Sequence, residues 1–186
     1  MALGLEKFDC AKDIERLAVP LSDECRKMCE QNMCGSYGRN WMCPPAIGSL
    51  AELQRQFEGY DRCLIVTKVY TLEDSYDWEG MKNGAKNFQD RLMEYRGLIA
   101  AEAPQFGYLM LGAGACLLCP TCSHQVQEPC RFPDKAIVSL EAFGVDVMRM
   151  MAEQGLKYNN GVNTVTYIGG IFYCSDPAAA NAGDKA

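Results

Sequence analysis

The segment from Gly114 to Pro133, GACLLCPTCSHQVQEPCRFP, sets Cys116, Cys119, Cys122 and Cys130 in a single loop. Three of these cysteines are separated by two residues each, and the fourth follows after seven more. That spacing constrains the chain more than any other feature. A C-x2-C-x2-C run turns the backbone around a corner, so three thiolates converge on three irons of a cubane and a more distant cysteine takes the fourth. Pro120 and Pro133 stiffen the loop and remove backbone donors that would need partners. A zinc ribbon brings two separate C-x2-C knuckles. Here the third cysteine continues the first pair, which favours iron–sulfur over zinc.

A second group lies upstream, in LSDECRKMCEQNMCGSYGRNWMCPP. It contains Cys25, Cys29, Cys34 and Cys43, at spacings of three, four and eight. Ser22 or Asp23 can cap a short helix that carries Cys25 and Cys29 on one face. Gly35 and Gly38 predict a tight loop, and Pro44-Pro45 closes it. The spacing matches neither a zinc finger nor the C-x3-C-x2-C run of radical S-adenosylmethionine enzymes. The plainer alternative is a buried, cysteine-rich helix pair.

The cysteine count sets the chemical context. Eleven is odd, and the opening MALGLEKFDCAKDIERL has no apolar segment of the secretory kind. The expectation is therefore a reducing, cytoplasmic protein in which clustered cysteines hold metal instead of pairing. The single histidine, His124, argues against histidine-rich zinc, copper or di-iron sites and against a serine triad. A net charge of -6 argues against nucleic acid, and no apolar run is long enough to span a membrane. No nucleotide-binding glycine loop is present.

Around the two groups, 186 residues suffice for one domain with a core. Helices are predicted over 49–59, with a Ser49/Glu52 capping box, and over 78–103 and 139–154. In the long helix Met81, Ala85, Phe88, Leu92, Tyr95 and Ile99 form one apolar stripe. Strands are predicted over 61–70, 106–113 and 162–174, the last bulged at Gly169-Gly170. Cys63 and Cys174 read as core, and Cys10 as an isolated thiol in a lead-in without chemistry. The fold class is α/β or α+β: one small domain, 1–174, with a short mixed sheet, helices packed on it and cysteine loops at 25–45 and 114–133. The tail, 175–186, reads as disordered.

Two motifs carry a family resemblance. They are C-x4-C-x2-Y-G-x-N-W-x-C-P-P, from Cys29 to Pro45, and G-A-C-x-L-C-x2-C-x7-C-R-x-P-x-K-A, from Gly114 to Ala136. Ser139 to Val147, SLEAFGVDV, follows them. Together they resemble a family of predicted metal-binding proteins of anaerobic bacteria and archaea, a domain of unknown function. The resemblance runs from about Cys29 to the last strand. It implies a cytoplasmic iron–sulfur protein with no settled reaction. Cys29, Cys34, Cys43, Cys116, Cys119, Cys122 and Cys130 match the family pattern, whereas Cys25 precedes it.

Whether Cys25 is a ligand decides the class of chemistry. With it, both clusters are closed and suited to moving electrons. Without it, one iron of the first cluster is open to substrate as a Lewis acid. Cys43 or Cys130 could also cross between clusters. Arg131 could donate to cluster sulfurs or form a surface ion pair. Tyr37, Asn40 and Trp41 could cover the first cluster or simply pack the loop. Glu141 reads as a helix-dipole partner. The expected function is one-electron transfer through two [4Fe-4S] clusters to a redox partner protein that presents a basic patch to this acidic chain. The alternatives are an iron–sulfur enzyme acting on a small-molecule substrate and a zinc-binding accessory module.

Overall fold

The computed structural model describes residues 4–176. Its core is a sheet of four strands, β1 (Cys10–Glu15), β2 (Arg62–Thr71), β3 (Tyr108–Leu111) and β4 (Thr164–Tyr173), in the order β1-β2-β4-β3. Four α-helices accompany it: α1 (Asp23–Glu30), α2 (Leu50–Gln56), α3 (Trp78–Glu102) and α4 (Val147–Glu153). The fold is α+β. All strand pairs are antiparallel. The parallel component of the expected mixed sheet is reduced to one isolated bridge, Gly112 to Ser139. The physical reason lies in β4, which enters between β2 and β3 and runs against both.

Both faces of the sheet are covered. Leu64, Val66, Met110 and Ile171 turn toward α3, where they meet Phe88, Leu92, Tyr95 and Ile99 of the predicted stripe. Cys63, Ile65, Leu111 and Phe172 face the other way, against Leu53 of α2, Leu140, Phe143 and Met150. This is the period-2 alternation of strands buried on both sides. Gly169 and Gly170 make the fit possible without a bulge, because β4 stays in one-to-one register with β2. A methyl on Gly169 would stand 3.1 Å from Leu111 O, and one on Gly170 3.1 Å from Leu140 Cδ2. The glycines let the two layers approach the central strand.

Three expectations shift. β1 falls in the lead-in: its sequence, CAKDIE, buries only Ile14, so an edge strand there carries almost no periodic signal. The predicted helix over 139–154 is divided. Glu141–Phe143 is a single 3-10 turn, Gly144 takes φ 83, and Asp146 caps α4 by accepting from Arg149 N at 3.0 Å. The helix over 49–59 ends as a 3-10 turn, Phe57–Gly59, behind the expected Ser49/Glu52 capping box. Of the tail, Ser175 is tied down by donating its N–H to Asp61 Oδ1 at 2.7 Å. Residues 177–186 lie outside the described part. Among the described residues no helix is long and apolar enough to cross a membrane.

Candidate metal centre

Both cysteine loops lie at one end of the sheet, and hydrogen bonds from neighbouring elements lock them together. The second loop leaves β3 at Gly112, whose N–H donates to Val138 O at 2.8 Å while its carbonyl accepts from Leu140 N at 3.0 Å. One turn of α3 then holds it. Gln89 is buried, and its side chain donates to Ala115 O at 2.8 Å and accepts from Leu117 N at 3.0 Å, so one amide brackets Cys116. The first loop joins from the opposite side. Asn40 Nδ2 donates to Cys116 O at 3.1 Å, and Trp41 Nε1 to Glu128 O at 2.9 Å. Gln89→Leu is expected to lower stability by about 1–3 kcal/mol, because both loop groups lose their partner inside the protein. Urea unfolding checks this, and a change below about 0.5 kcal/mol would show that water replaces the amide.

Two cavities result. The first, of ≈ 200 Å³, is walled by Cys29 at the end of α1, Cys34, Cys43, Tyr37 and Glu141. The second, of ≈ 290 Å³, is walled by all four cysteines of the downstream run, Cys116, Cys119, Cys122 and Cys130, with Asn40 and Trp41 of the first loop. Ala115 lines both, so the cavities adjoin. At about 30 Å³ per liquid water, the smaller holds roughly seven waters, comparable with the atoms of one small cluster.

The electrostatics follow the same grouping. Burial pushes the Cys43 thiol up to about 12, helped by the charges of Cys34 and Cys29 and then of Cys116 and Cys122. Cys43 therefore sits where the groups meet, and lines the first cavity only. Burial also raises Cys29, with Cys34 as the nearest like charge. Burial raises Cys116 too, while the Leu118 N–H directed at its sulfur works the other way. Desolvated thiols crowded together favour binding a cation, which stabilises them as thiolates.

Cys25 stands apart. It is buried, and its Sγ–H points to Val145 O at 3.5 Å, outside both cavities. The cause is the bridge between Leu21 and Val145, which lays the start of α1 against the 139–146 segment. Arg131 reaches neither cavity: its guanidinium donates to Thr121 O at 3.1 Å and pairs loosely with Glu128 at 3.9 Å. Tyr37 is at the first cavity, whereas Trp41 and Asn40 are at the second. Trp41 also stacks edge-on against His124 at 4.6 Å.

Cys10 lies on β1, Cys63 is fully buried in the sheet, and the Cys174 thiol donates to Gly59 O at 2.9 Å. All eleven cysteines are free thiols. Two contributors escaped the reading of the sequence. Gln89 sits beside Phe88 on α3, and a lone amide next to an apolar stripe was the only signal. Glu141 was read as a helix-dipole partner, but it belongs to an isolated turn that faces the first cavity.

The chain is a small α+β protein with two adjoining thiol-lined cavities. The chain belongs to the family described as predicted metal-binding protein (DUF2284), which it matches over residues 12–173. No curated protein and no solved structure matches it.

Proposed function

We propose that this chain is a cytoplasmic iron–sulfur protein with two [4Fe-4S] centres that serve one-electron redox chemistry with a partner protein. One observation carries this reading: the cysteines line two adjoining cavities as sets of three and four. The donor set fits, since soft thiolates select iron–sulfur clusters or zinc. Four cysteines around one space and three around its neighbour suit two groups of several atoms.

Cys116, Cys119, Cys122 and Cys130 would hold the second centre, and Cys29, Cys34 and Cys43 the first. When bound, such centres supply reversible one-electron redox at a potential set by burial and hydrogen bonds. The chain's own groups supply the rest. Leu118 N–H is directed at the Cys116 sulfur, Gln89 and Asn40 hold the loop in shape, and Trp41 forms part of the wall of the second cavity. Cys130 and Trp41 also wall an open groove of ≈ 920 Å³ along β3. A partner docked in that groove would touch a ligand of the second centre directly.

A second reading, an iron–sulfur enzyme that binds a small molecule at the first centre, is favoured by the position of Cys25 outside the cavity. The test is anaerobic purification with iron and sulfide analysis and EPR of the reduced protein. The expected result is about eight irons and eight sulfides per chain with two interacting cubane signals. Stoichiometric zinc without sulfide would overturn both readings.

A further inference from the structure

The first cavity contains a donor that is not a cysteine. Glu141 lies in its wall with Cys29, Cys34 and Cys43. The residue is half-buried there. Among the described residues no ion pair includes Glu141.

Its placement is built in. The Gly112–Ser139 bridge fastens the turn to the strand that runs into the second cysteine loop. On the other side Arg26 of α1 donates to Ala142 O at 3.2 Å and also to Gly48 O. Gly144 closes the turn at φ 83, where a methyl would come within 2.6 Å of Leu50 Cδ1. Three elements thus converge to place Glu141 in one wall with three thiols. The remaining cysteine of the group, Cys25, is directed at Val145 O.

We propose that the Glu141 carboxylate is the fourth protein ligand of the first centre, which is therefore held by Cys29, Cys34, Cys43 and Glu141, with Cys25 outside it. This rests on the iron–sulfur reading above. A carboxylate oxygen is a harder donor than thiolate, so the iron it holds is the exchangeable one. The ligands that compete there share its chemistry: small molecules that bring a carboxylate or a similar anionic oxygen. Their binding displaces Glu141 by ligand exchange, without electron transfer.

The test compares full-length wild type, Glu141→Gln, Glu141→Cys and Cys25→Ser after anaerobic cluster assembly, by iron and sulfide content and by EPR of the oxidised protein. In Glu141→Gln, which preserves shape, about one iron per chain should be lost and a three-iron signal should appear. Glu141→Cys should restore the iron content, and Cys25→Ser should match wild type. Unchanged iron and EPR in Glu141→Gln, or loss of the first centre's iron in Cys25→Ser, overturns the assignment while leaving two clusters in place. Wild type without sulfide overturns it together with the iron–sulfur reading.

Discussion

Replacing Cys119 and Cys122 together by serine is expected to remove about four irons and four sulfides per chain, half of the total, while the signal of the first centre persists. Both residues wall the second cavity and neither walls the first. Serine keeps the size of the side chain, but its hydroxyl is not deprotonated at neutral pH and is a hard donor where the centre requires soft ones. The loop itself should survive. Its hold on the fold comes from Gln89, Asn40 and Trp41, whose partners are backbone carbonyls and an N–H, not sulfurs. The spin coupling between the centres should vanish, because only one remains. The measurement is metal and sulfide analysis with EPR of the reduced variant. Complete loss of iron from a folded variant would mean that the centres assemble as one unit. Retention of all iron would show that the second cavity is not a cluster site.

Phe172→Ala should produce the largest change in stability, about 3–5 kcal/mol. Phe172 is fully buried on β4, paired with Cys63 of β2 and Leu109 of β3, and its ring centroid lies 4.5 Å from that of Phe57. Truncation leaves a void in the centre of the layer formed by α2, the Glu141–Phe143 turn and α4. These elements come from distant parts of the chain and cannot close on the void together. Such a loss is a large share of the 5–15 kcal/mol typical of a whole domain. Urea unfolding of the apo protein checks it. The midpoint should fall with an unchanged slope, and a loss below about 1 kcal/mol would show that the layer repacks.

The elements that could be read directly are those in which one periodic signal coincides with one burial pattern. The stripe of α3, the apolar run of β2 and the Ser49/Glu52 box each depend on residues a few positions apart. β1 was illegible because an edge strand with charges at Lys12, Asp13 and Glu15 buries one side chain. The break at Gly144 was hidden because Leu140, Phe143, Val147 and Met151 are all buried, and a helix and a turn followed by a helix present them alike. The paired glycines of β4 suggested a bulge, although their cause is the close approach of Leu111 and Leu140.

The sequence by itself determined that this chain has two groups of thiols suited to soft metal chemistry, because ligand type and loop spacing are local properties. It also determined the main helices and strands, for the same reason. Only the tertiary structure decided which cysteines line each cavity. Cys25 and Cys29 share a short helix, yet the Leu21–Val145 bridge directs one at a carbonyl while the other faces a cavity. The Gly112–Ser139 bridge places Glu141 in the wall of the first cavity, and Gln89 reaches the downstream loop from a helix that is distant in sequence. Direction toward a cavity depends on long-range pairing, and no spacing within a motif encodes it.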